Sequence, residues 1–144
     1  MLPPLSITNI LVPRVTVYYD GAVSEEEVYS NIENALNDFI ANISFDGVIY
    51  TQKIIDAIQK ADHVVDVYVD TTNSDLQGIF IAQYDDDNLL IPVDTDDNGE
   101  VISYEQRVDR CFVPNSGFIK QSSRSGEEES IMTWKEAITL KIEQ

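Results

Sequence analysis

Apolar and polar residues alternate over Arg14-Val-Thr-Val-Tyr-Tyr-Asp20, which sets Val15, Val17 and Tyr19 on one face of a half-buried strand. Gly21 turns the chain and the apolar period lengthens. Val28, Ile32, Ala35, Leu36, Phe39, Ile40 and Ile43 recur at spacings of three and four, the mark of a helix lying on a sheet, and Asn31, Asn34, Asn37 and Asp38 fill its other face. Ser24-Glu-Glu-Glu27 opens that helix as a capping box, with Ser24 taking the Glu27 N–H and the Glu27 side chain reaching back. Its acidic residues also suit the positive end of the helix dipole. A shorter helix is expected from Gln52 to Ala61 on Ile54, Ile55 and Ile58, and Val64-Val-Asp-Val-Tyr-Val69 closes the unit as a strand. The pattern predicts an α+β fold, a small sheet packed by two helices over 14–70.

Beyond Asp70 the style changes. After the polar turn Thr71-Thr-Asn-Ser-Asp75, Gly78-Ile-Phe-Ile-Ala-Gln-Tyr84 reads as a strand and Asp85-Asp-Asp-Asn88 as a charged turn. Leu89-Leu-Ile-Pro-Val93 then returns as a hairpin partner, put at an edge by Pro92. Asp94 to Gly99 is a further turn and Val101 to Phe112 an extended segment. Gln121 to Ser130 has the composition of a mobile loop. Ala137, Ile138, Leu140 and Ile142 predict a final strand, with a helix from about Thr133 as the alternative. Three segments follow: a proline-bounded N-terminal arm over 1–13 that docks by default on its own domain or else on a neighbouring subunit, the α+β unit over 14–70, and a β-hairpin-rich extension over 71–144 with its mobile loop near 121–130.

The order strand, long helix, glycine-centred connection, short helix, valine-rich strand resembles the C-terminal domain of baseplate J-like proteins of phage tails and contractile injection machines. The residues carrying it are Val15-Thr-Val-Tyr-Tyr-Asp-Gly21, Val28 to Ile40, Phe45-Asp-Gly-Val-Ile-Tyr50, Ile54-Ile-Asp-Ala-Ile58 and Val64 to Val69. Two features depart from the family pattern: the chain is much shorter than a whole J-like protein, and His63 stands where glycine is common before the closing strand. The resemblance implies a non-enzymatic structural component of a tail, baseplate or related injection particle. Its partners would be other tail or baseplate subunits, in a homo- or hetero-oligomer, and its location the virion tail, after synthesis in the host cytoplasm.

Charge narrows the partners. Nine basic against 26 acidic residues give a net charge of −17 over 144 residues. Such a field repels phosphate backbones and anionic membranes, so neither nucleic acid nor membrane is expected. It favours basic protein surfaces, which leaves an acidic adaptor covering such a surface as one alternative function. The start of the chain lacks the basic and apolar regions of a signal peptide, and no apolar run approaches the length of a membrane span. One cysteine and one histidine exclude an intrachain disulfide and a Cys/His zinc cage. Cys111 reads as a small packing residue and His63 as a structural residue with no nearby partner.

The sharpest chemical motif is Asp94-Thr-Asp-Asp-Asn-Gly-Glu-Val-Ile-Ser-Tyr-Glu105, which fits the EF-hand loop pattern. Asp94, Asp96 and Asn98 take the first, third and fifth positions, Gly99 the sixth, Glu100 offers its carbonyl, and Glu105 is the bidentate twelfth residue. A small calcium-binding module is thus the other alternative function. The flanks are β-prone rather than helical, and Asn98-Gly99 is also the favoured pair for a type I′ hairpin turn. No cofactor is otherwise expected. Asp85, Asp86 and Asp87 read as a solvated turn, with a cation site as the alternative, and no nucleophile elbow, phosphate loop or catalytic carboxylate pair is present in the sequence. Tyr18, Tyr19, Tyr50, Tyr68, Tyr84 and Tyr104 fall mostly in predicted strands, either as core edges or as an interface patch.

Overall fold

The computed structural model describes residues 8–43, 48–72, 76–85, 87, 89–113 and 118–143. Residues 1–7 of the expected arm, the Phe45-Asp-Gly47 part of the glycine-centred connection, the Asn73–Asp75 part of the polar turn, and Asp86 and Asn88 lie outside these. The fold is α+β, and one long strand organises it. Strand β1, Thr8–Tyr19, runs through a six-stranded sheet and changes partners near its middle. Its first half pairs antiparallel with β4 (Gly78–Gln83), Asn9 opposite Gln83 and Arg14 opposite Gly78, and parallel with β9 (Phe118–Lys120). Its second half pairs antiparallel with β3 (Val64–Tyr68) and parallel with β10 (Ile138–Ile142), Val15 opposite Ile138. Strand β7, Gln106–Val108, extends the sheet beyond β4.

The alternation expected from Arg14 onward is present, with Val15, Val17 and Tyr19 all buried, but it begins earlier. Leu11 lies in the same core as these three, beneath helices α1 (Glu25–Ala41) and α2 (Thr51–Gln59). On the opposite face Ile10 and Val12 join Ala82, Tyr84, Ile131 and Ala137 in a second core. Residues 9–13 belong to the first half of this central strand, and Asn9, Ile10, Leu11, Val12 and Pro13 are all buried. In α1 the stripe is as read: Val28, Ile32 and Leu36 are fully buried, with Ala35, Phe39, Ile40 and Ile43 packed at its margins. Ser24 Oγ accepts from Glu27 N at 3.2 Å, but the reciprocal capping box forms elsewhere, at Thr133 and Glu136.

That box opens a one-turn helix, α3 (Trp134–Ala137), which runs directly into β10, so both readings of the C-terminal segment occur in succession. Trp134 is 0% exposed and its indole Nε1–H donates to Leu11 O at 3.0 Å, fixing the end of the chain to β1. The expected hairpin after Tyr84 is short: a Tyr84–Leu90 bridge and an Ile91 N to Gln83 O bond at 2.9 Å carry it, and Pro92 follows. The segment Val101 to Phe112 is not one extended piece. It breaks into β6 (Val101–Ser103), β7 and β8 (Cys111–Phe112), which pair with β5 (Asp94–Thr95), β4 and β2 (Ile49–Tyr50) respectively.

Candidate interaction surface and polar anchors

The EF-hand-like loop folds as the tip of the β5–β6 hairpin. Asp96 N donates to Glu100 O at 2.8 Å, Gly99 N donates to Asp96 O at 3.0 Å, and Asp96 Oδ1 accepts from Asn98 N and Glu100 N at 2.9 Å each. Gly99 has φ +82°, whereas Asn98 is not among the positive-φ residues, so the turn is not type I′. It is a type I turn followed by a left-handed glycine, the three-residue hairpin connection whose twist suits the flanking strands. Asp94 is exposed in β5, and the expected twelfth ligand points elsewhere. Glu105 is buried and its Oε1 lies 2.8 Å from Arg14 Nη2, with Arg14 stacked 4.5 Å over the Phe80 ring. The loop thus gathers Asp96, Asn98 and Glu100 by backbone bonds and leaves Glu105 in the body of the protein. Among the described residues no group of three or more His, Cys, Asp or Glu is placed to hold a metal ion. The Asp85 turn repeats the device: Asp85 N donates to Leu89 O at 2.7 Å and Asp85 Oδ1 accepts from Asp87 N and Leu89 N.

Around these two acidic turns the apolar residues are uncovered. Leu89, Ile91, Val93, Val101 and Ile102 are all exposed, Ile102 to 62%. They lie close in sequence to the exposed acidic residues Asp94, Asp96 and Glu100. Tyr50, Val48 and Val113 are exposed beside the β2–β8 ribbon. The tyrosines divide between both earlier readings, since Tyr19 and Tyr84 are buried while Tyr50 and Tyr68 are exposed. Cys111 is exposed in β8 rather than packed, because the two-residue ribbon turns it away from either core.

Two polar anchors escaped the sequence reading. His63 does have a partner: its Nδ1 is 2.9 Å from Asp20 Oδ2, and its carbonyl accepts from Asp20 N at 3.1 Å. Its φ of +71° is the left-handed conformation that glycine adopts without strain, which explains the family's glycine here. The Ala22 N–H and the His63 ring hold the Asp20 carboxyl below its ordinary range, and the Asp20 hydrogen bond raises His63. Imidazole and carboxylate would be base and orienter of a catalytic triad, yet among the described residues no hydroxyl or thiol bonds to His63.

The second anchor is Glu128, 5% exposed within the segment expected to be mobile. Its Oε2 accepts from Tyr84 OH and Lys120 Nζ at 2.6 Å each, and its Oε1 from Ser123 N at 2.8 Å. Burial pushes this carboxyl up, but the Lys120, Ser123 and Tyr84 bonds outweigh it and bring it down to about 2. Ser122 Oγ donates to Ile131 O at 2.8 Å, so residues 121–130 are tied to the second core. Composition predicted a loose loop because one donor to the buried carboxylate, Tyr84, lies 44 residues away.

No helix of the described residues is long and apolar enough to cross a membrane. No curated protein and no solved structure is significantly similar to the chain. The family model of the baseplate J-like protein C-terminal domain matches residues 13–90, from the middle of β1 through both helices, β3 and β4 to the Tyr84–Leu90 bridge. That span is more than half of the chain, and the chain belongs to the baseplate J-like protein C-terminal domain family.

Proposed function

We propose that this protein is a non-enzymatic structural component of a phage tail, baseplate or related injection particle, and that it acts by contact with neighbouring subunits. The family match over 13–90 carries the reading. The exposed Leu89, Ile91, Val93, Val101 and Ile102 support it, since uncovered apolar side chains gain by burial against a neighbour. The net charge of −17 would keep free copies apart and select neighbours with basic surfaces. Protein inventory of purified phage or injection particles by mass spectrometry tests the reading. Recovery of this chain at a fixed multiple of the other tail proteins is expected, and its absence from particles while it is abundant in the soluble lysate would refute the role.

A further inference from the structure

The half-sheet β3–β1–β10 has two outer edges, and the structure treats them differently. On β3 the edge is plugged: the Gln59 side chain donates to Val65 O at 2.8 Å and accepts from Val67 N at 3.1 Å, imitating the backbone of one more strand. On β10 no described strand pairs with the outer edge. Glu143 N donates to Tyr19 O at 2.7 Å, so in this parallel pairing Thr139 and Lys141 turn their peptide groups toward β1. Leu140 and Ile142 turn theirs outward. The Ile138 N–H, which also faces out, is already taken by Trp134 O at the end of α3. Beside this open row lies a cleft of about 250 Å³ lined by Glu25, Glu26, Tyr29, Lys135, Ile138 and Leu140, and Ile142 is 55% exposed at its end.

We propose that the β10 edge receives an extended segment of a basic partner subunit by strand addition. Within the assembly role proposed above, this names the contact and its chemistry. Backbone bonds to Leu140 and Ile142 supply register, and alternate partner side chains enter the cleft, apolar ones against Ile138 and Leu140. Lysine or arginine at the neighbouring cleft-facing positions meets Glu25 and Glu26, which stand in the first turn of α1. Charge decides against a second copy as the occupant, because pairing two β10 edges sets two chains of net charge −17 side by side. The plug on β3 leaves β10 as the edge of this half-sheet where addition costs no existing hydrogen bond.

The test is amide hydrogen exchange and NMR titration of the whole protein with the synthetic peptide acetyl-Lys-Thr-Val-Thr-Lys-Thr-Val-amide. Its glutamate analogue and the variant Ile142→Pro serve as controls. Proline at 142 removes an outward N–H while leaving the bonds to β1, so the fold should persist. The expected result is a shift of the Leu140 and Ile142 amides with about tenfold slower exchange, no effect of the glutamate peptide, and loss of the Leu140 response in Ile142→Pro. No response at these two amides, an equal response to the glutamate peptide, or an undiminished Leu140 response in folded Ile142→Pro overturns the proposal. So does finding the two amides already protected in a self-associated protein. Particle inventory bears on the assembly role alone, so failure of the one is distinct from failure of the other.

Discussion

His63 shows how a single residue can hold an unfavourable backbone. A non-glycine residue at φ +71° pays for a Cβ that crowds its own carbonyl, and the Asp20 contact offsets that cost. Comparison of His63→Gly with His63→Ala by urea unfolding separates the two effects. Both lose the Asp20 bond, but only alanine keeps the strain, and it should be less stable than the glycine variant by about 1 kcal/mol. The pair also predicts a pH window. Asp20, lowered from 3.8, contributes above that value and loses its contribution as pH falls through its folded pKa. His63, raised from 6.5, contributes below that value and loses its contribution as pH rises through its folded pKa. The stability difference between wild type and Asp20→Asn should therefore be largest between pH 3.8 and 6.5 and shrink on either side. Glu128 is the larger residue effect. Glu128→Ala leaves Lys120 and Tyr84 without their buried acceptor and should cost about 3 kcal/mol, measured as a lowered urea midpoint. Its carboxyl falls from 4.5 to about 2, so its contribution is complete above pH 4.5 and disappears as pH approaches 2. Acid unfolding of Glu128→Gln should be correspondingly less steep in that range.

At the scale of elements, edges and turns matter more than helix content. Gln59→Ala removes the plug from β3 and exposes Val65 O and Val67 N beside the uncovered Val65 and Tyr68 side chains. Hydrogen exchange should show a less protected Val67 amide in the variant, and urea unfolding a loss of stability of about 1 kcal/mol. The β5–β6 hairpin gives the matching prediction for calcium. Asp96 Oδ1 is occupied by two amides and Glu105 by Arg14, so ligation of an ion would first break these bonds. Isothermal titration of metal-free protein with calcium should show no site tighter than about millimolar, and a micromolar site lost in Asp94→Ala would contradict it.

For the whole molecule, β1 is the axis on which both cores depend. A chain beginning at Arg14 would lose Ile10, Leu11 and Val12, the pairing partner of β4 and β9, and the carbonyl that receives the Trp134 indole. Burial of those three side chains alone is worth about 5–8 kcal/mol, comparable with the whole stability of a domain. The truncated chain should show no cooperative unfolding transition in urea or on heating. The family match begins at Pro13 and ends at Leu90, so the J-like pattern is completed by strands on either side of it. One face of β1 packs against the two helices and the other against Ile131 and Ala137 near the chain end.

Periodicity alone determined the helical stripe from Val28 to Ile43, the Val15–Val17–Tyr19 face and the valine-rich β3, because these depend on spacing within one element. Sequence could not place Glu105 with Arg14, Glu128 with Tyr84, or Trp134 beneath Leu11, whose partners lie 91, 44 and 123 residues away. Neither the two-faced burial of residues 9–13 nor the asymmetry between a plugged β3 edge and an open β10 edge follows from local pattern. Each exists only once distant segments meet, because desolvation and backbone pairing are properties of the assembled sheet.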